Sequence, residues 1–313
     1  MRKNLLKISV LGIILIALFN SCSSPKVDLK LNLENGKSYL MAYQADMKMN
    51  QKIMGMSIDV IMKVDMELLF KTIGFDKDSN YIMETTYQTM NYKMNAQGQN
   101  IEFGTDKISK DSIMNKVFSL FKGKSFTMVF DKRGKIIDVQ GFDSIMSSLF
   151  ENNLVEDSSK MKEVKELFNK NFGEESIKNN FSSFFGYFPE KGVSIGEKWN
   201  NKITINSMFA FNVDNQYEFI DSKDNLYNIG IQSNIKTDLK KSTMEVQGME
   251  MKFDLKGTQS GFIKIDQKTG WIKESEIKQK IVGDARMSKS EIPGGGNFTI
   301  PYTIESTTKI FLK

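Results

Sequence analysis

Apolar and polar residues alternate strictly over two long stretches near the start of the chain. From Tyr39 the apolar set runs Tyr39, Met41, Tyr43, Ala45, Met47 and Met49, with Gln44, Asp46, Lys48, Asn50 and Lys52 between them. Past Gly55 the alternation resumes with Met56, Ile58, Val60, Met62, Val64, Met66, Leu68 and Phe70, against Asp59, Lys63, Asp65, Glu67 and Lys71. A period of two sends successive side chains to opposite faces, so each stretch predicts an antiparallel strand with one oily side. Both runs exceed the usual strand of about 5–6 residues, and a long one-sided ribbon has to coil around what it buries. The expected fold is therefore mainly β, a long curved antiparallel sheet or open half-barrel.

Turn residues punctuate the rest, with polar tips at 76–80, 97–99, 131–134, 221–225 and 266–270, and a glycine triplet at 294–296. Two tips recur in the same order: 75–81 resembles 220–227, and 130–136 resembles 265–272. This suggests a β-rich domain over 31–313 built from two similar halves, 31–140 and 189–313. Helical spacing joins them. Asp111 can cap a helix bearing Ile113, Met114, Val117, Phe118 and Phe121. Residues 142–187 predict two or three helices, with one stripe through Met161, Val164, Leu167, Phe168 and Phe172 and another through Ile177, Phe181, Phe184 and Phe185. Pro189 is expected to end that region. The aromatic run at 184–188 is expected in the core, and Trp199 and Trp271 are expected to anchor the halves.

The first residues change the picture. Arg2, Lys3 and Lys7 precede an apolar run at 11–19 that is too short to span a bilayer, for which about 20 helical residues are needed. It closes on Leu18, Phe19, Asn20, Ser21 and Cys22, which resembles the recognition box of the lipoprotein signal peptidase. The expectation is a signal peptide at 1–21, lipidation of Cys22, and a tether at 22–30. Residues 23–27 contain no acid, and Ser23 rather than Asp follows the cysteine. The expected address is the outer membrane, lipid-anchored and periplasm-facing.

Charge matters less than the net +5 implies. Without Arg2, Lys3 and Lys7 the basic count falls from 43 to 40 against 38 acids, and only Arg133 and Arg286 remain as arginines. A nucleic-acid partner calls for clustered basic excess, so no nucleic-acid binding is expected. Cys22 is the only cysteine and histidine is absent, which removes triads built on histidine and catalytic zinc held by imidazole. With the thiol acylated no cysteine nucleophile is left. No catalytic residue, metal or cofactor is expected, and an enzyme of unidentified class ranks behind two non-enzymatic readings.

Three features carry candidate chemistry. Glu274 and Glu276 share a strand face at a spacing a glycosidase could use, but Lys278 and Lys280 continue that face as a solvated stripe. Asp76, Asp78 and Asn80 open like a calcium loop, but the downstream glycine and glutamate are missing, and a hairpin tip explains the same residues. The 20 methionines are the oddity. Met47, Met49, Met62, Met66, Met249 and Met251 are candidate ligand-facing positions. They fit copper(I), an ordinary core, or an adaptable apolar pocket for a lipid.

The lipidation box and methionine-rich early strands join three further motifs: FDKRGK at 130–135, FPEKGVSIGEKW at 188–199 and GFIKID at 261–266. Together they resemble an uncharacterised family of bacterial envelope lipoproteins that carries a domain of unknown function. The resemblance implies a Gram-negative outer-membrane address and supplies no activity or site residues. The leading expectation is a non-enzymatic lipoprotein binding a lipid or other hydrophobic ligand against the methionine-rich face. The alternative is a structural or assembly partner in an outer-membrane complex, docking through 142–187.

Overall fold

A computed structural model describes residues 25–53, 55–106, 113–151, 173–206, 210–246, 249–287 and 298–313. The leader, Cys22, Asp111, the stripe from Met161 to Phe172 and the glycine triplet lie outside the described residues. The expected β class is what folds. The strands are β1 (Ser38–Ile53), β2 (Met56–Phe75), β3 (Tyr81–Ala96), β4 (Gln99–Gly104), β5 (Ser125–Phe130), β6 (Ile136–Gln140), β7 (Lys198–Asn206), β8 (Ala210–Lys223), β9 (Leu226–Thr237), β10 (Thr243–Val246), β11 (Met249–Asp266), β12 (Ile272–Met287) and β13 (Phe298–Leu312). Among the described residues three short helices accompany them: α1 (Ile113–Phe121), α2 (Phe142–Glu151) and α3 (Glu174–Phe185).

All pairings are antiparallel, in the order β6-β5-β3-β2-β1-β13-β12-β11-β9-β8-β7, with β4 added to β3 and β10 to β11. The chain thus lays down two meanders. They join where the first strand meets the last, Met41 opposite Leu312 through Gln51 opposite Tyr302. The other ends, β6 and β7, do not pair, so the sheet stays open. Helix α3 packs against both of these edge strands. The recurring tips fall on corresponding hairpins, β2–β3 with β8–β9 and β5–β6 with β11–β12.

The alternation read from sequence sets the register. β1 and β2 pair from Ser38↔Lys71 to Ile53↔Met56, which puts the apolar sets of both strands on one face. That face holds two buried clusters. In the first, Trp271 stacks on Tyr39 at 4.6 Å and meets Phe185 and Phe70 at 5.0 and 5.3 Å. Such ring pairs add to simple area burial. Trp271 therefore ties β12 to the first meander, while Trp199 stacks on Tyr217 and donates Nε1–H to the Tyr187 carbonyl at 2.9 Å. The second cluster, around Val213, Leu255, Ile281 and Ile304, fills the far end of the same face.

Helix α3 turns Ile177, Phe181 and Phe185 into the first cluster, which is the predicted stripe. It stops at Gly186, whose N–H donates to the Ser182 carbonyl at 2.9 Å, so the helix closes before Pro189. A strap seals the aromatic end. Val27 bridges to Val193, Leu31 N–H donates to the Lys132 carbonyl, and Asn32 N–H donates to the Thr269 carbonyl. Leu29, Leu31 and Leu33 are buried beneath it. Arg133 clamps the strap from outside: Nη1 donates to Asp28 Oδ1 and the Leu29 carbonyl, both at 2.7 Å, and Nη2 reaches the Glu190 carbonyl at 3.2 Å. The segment expected as a tether is thus structural from Val27 onward.

Candidate functional site

Strand register brings distant residues into straight rows across the inner face. One row runs Met94, Met62, Met47, Ser306, Gln279, Gln259, Ser233, Asn215 over eight strands. It changes character midway, from three thioethers to five uncharged hydrogen-bonding side chains. The rows on either side are mainly apolar, passing through Val64, Ile277 and Ile231 on one side and Met49, Ile304 and Val213 on the other.

The polar half is wired together. Ser233 Oγ donates to Asn215 Oδ1 at 2.6 Å, and Gln259 Nε2 donates to Ser233 Oγ at 3.0 Å and Asn215 Oδ1 at 3.3 Å. Ser306 Oγ donates to Gln279 Oε1 at 3.1 Å. Asn215 is 3% exposed and Ser233 is 6% exposed. The hydrogen bonds of Asn215 and Gln279 use their carboxamide oxygens, which leaves their N–H groups without a protein partner among the described residues but still accessible rather than sealed in. Gly257 and Gly261 flank Gln259 on its own face. A Cβ would lie 2.1 Å from the Lys280 carbonyl at Gly257 and 2.0 Å from that of Glu276 at Gly261, so the floor around Gln259 has to be bare.

Above this floor lies a cavity of about 510 Å³. Its walls include Met62 of β2 and Ile203 of β7, which stand on opposite flanks of the sheet order, so the sheet must curl to bring them together. Helix α3 contributes Phe181 and Phe184. Of the methionines singled out by sequence, Met47, Met49, Met62 and Met66 line the cavity. Met251 is buried in the second cluster and is not among the cavity walls. Met249 pairs with Val246, and its side chain lies outside the described residues.

Among the described residues the wall is electrically neutral, with no carboxylate, lysine or arginine lining it. Burial pushes the phenols of Tyr87, Tyr92 and Tyr217 well above their ordinary value. Burial also raises Tyr43, opposed by a hydrogen bond to Thr308. None of them ionises near neutral pH.

The other candidates lie elsewhere and serve local needs. Lys264 Nζ is 2.7 Å from Glu274, and Lys278 and Lys309 are 3.3 and 3.4 Å from Glu276. The Lys278 hydrogen bond is the main reason the Glu276 carboxyl is held low, which suits a surface ion pair rather than a proton donor. Asp76 Oδ1 accepts the N–H groups of Asp78 and Asn80 at 2.9 and 2.8 Å, and Oδ2 accepts Asn80 Nδ2 at 2.9 Å. That carboxylate holds a hairpin tip.

Sequence reasoning missed the polar half of the row. A signal exists: Asn215, Gln259 and Gln279 each interrupt an apolar alternation at an inward position, and glycines bracket Gln259. No single strand shows that the interruptions meet.

The model of a family of unknown function (DUF6263) matches residues 78–272. Comparison with curated proteins returns no match. Among solved structures, one described as lipid–protein interactions in lipovitellin is 10% identical with a TM-score of 0.48, covering 90% of this chain and 25% of that one. This chain therefore spans a quarter of that protein's length. OccK5 (OpdH) of Pseudomonas aeruginosa is 8% identical with a TM-score of 0.22, covering 88% of this chain and 98% of that one. An outer membrane channel of Pseudomonas putida F1 is 7% identical with a TM-score of 0.18, covering 90% and 97%.

Proposed function

This chain belongs to that family of unknown function, which supplies no activity, and we propose that it is a non-enzymatic lipoprotein holding a lipid or similar hydrophobic ligand against its methionine-bearing face. The observation that carries the reading is the neutral cavity, lined by Met47, Met49, Met62 and Met66. Its volume falls in the range of small-molecule sites, roughly 300–1,000 Å³. Methionine is flexible and polarisable, so a wall of thioethers adapts to apolar partners of varied shape. With no histidine in the chain and no carboxylate, lysine or arginine among the described wall residues, the site is suited to holding an uncharged ligand. The proposal includes an acyl anchor on Cys22 at the outer membrane, facing the periplasm, supported by the leader and its terminal box. The assembly-partner alternative gains nothing from α3, whose apolar stripe faces the core.

The test is to purify the Cys22→Ser chain, extract it with organic solvent and identify what is released. One acyl lipid per chain is expected, with loss of that lipid from a folded Met62→Trp variant whose side chain fills the cavity. A wild-type protein that carries no lipid and takes up no apolar probe would sink the reading.

A further inference from the structure

Resting on the ligand-binding reading, we infer that the occupant is an uncharged acyl compound whose ester or amide carbonyl sits on the amide row formed by Asn215, Gln259 and Gln279, with its hydrocarbon chain over the methionine half. Three observations converge. First, Asn215 is buried and lines the cavity, and its carboxamide N–H, like that of Gln279, is without a partner among the described residues. Two such donors on an uncharged, largely apolar wall are matched by an uncharged acceptor, which is the chemistry of an ester or amide carbonyl oxygen.

Second, no cation lines the cavity among the described residues. A free carboxylate or phosphate placed there would lose its hydration with nothing opposite in charge to replace it. A plain hydrocarbon would avoid that cost but leave both donors facing carbon. Third, Gly257 and Gly261 clear the floor beside Gln259, where side chains are forbidden by the neighbouring backbone. A polar linkage can therefore lie flat against the row, while Met47 and Met62 at the other end of the cavity receive an alkyl chain.

The discriminating experiment measures binding of four matched probes to the purified chain: methyl palmitate, N-methylpalmitamide, palmitate and hexadecane. The ester or amide is expected to bind at least tenfold tighter than palmitate and hexadecane, a difference of about 1.4 kcal/mol. Gln279→Met, which extends the thioether row at similar volume, is expected to weaken the carbonyl probes about tenfold and leave hexadecane unchanged. Gln259→Met provides an independent second variant should the first fold poorly. Palmitate or hexadecane binding as tightly as the ester, or a variant that weakens all probes alike, overturns the carbonyl site while ligand binding survives. Failure of all four to bind wild-type protein overturns both.

Discussion

Two regions of the inner face are built on opposite plans. At the strap end, rings lock against rings around Trp271, three leucines close from above, and Arg133 ties the closure down. Midway along the same strands, flexible thioethers and uncharged amides surround empty space, and the methionines, Gln259 and Gln279 are only partly covered. One sheet thus carries a rigid seal and an adaptable recess. The difference shows how a single alternating pattern can serve both, because alternation chooses the face and residue type chooses what that face does. Aromatic rings give fixed geometry; methionine gives shape tolerance.

That contrast can be broken most forcefully at Trp271. Trp271→Ala is expected to cost about 3–5 kcal/mol of stability, as large aromatic truncations in cores do, measured by urea denaturation. A loss below that range would mean the seal is no stiffer than the recess. Next comes Arg133→Ala, which removes two donated hydrogen bonds to the strap and one to the Glu190 carbonyl. A cost of about 1–3 kcal/mol is expected, with faster amide exchange at Val27 and Leu31. Exchange that speeds up instead around Met62 would place the clamp's influence in the wrong region.

Met62→Leu should be milder still. Volume-conserving swaps cost less than about 1.5 kcal/mol, so stability should barely move while displacement of an apolar fluorescent probe changes its ligand preference. The smallest effect is the response to acid. The Asp28 carboxyl is held below its ordinary 3.8, first by Lys30 and then by Arg133. Its contribution to the seal is therefore complete above that pH and is lost as pH falls through the lowered value. Uptake of a neutral probe by the recess should stay flat between about pH 5 and 9, since no group on its wall titrates there. A bell-shaped uptake profile would contradict the neutral wall.

Much of this was readable from residues alone. Strict alternation from Tyr39 to Phe70 set the strands and the inward face, and Asp-rich tips marked the hairpins that Asp76, Asp131 and Asp266 now hold through their carboxylates. What escaped required register. Asn215, Ser233, Gln259, Gln279 and Ser306 sit on five different strands, and only inter-strand pairing shows that they share a row. Met251 illustrates the same limit: its parity places it on the inner face with Met47, but its position along that face puts it in the second cluster. The strap escaped because three alternating leucines make too short a run to stand out.

Were Cys22 acylated as proposed, the bridge between Val27 and Val193 would also set a mooring length. Val27 is five residue steps from Cys22, a reach of at most about 18 Å when fully stretched. An acyl anchor at Cys22 would therefore hold the molecule sealed end downward, close above the bilayer. Met47 lies eight residues along its strand from Tyr39 at the seal, roughly 26 Å further out. Cargo in the recess would then be lifted clear of the leaflet that moors the protein, and exchange would have to take place on the side that faces open solvent.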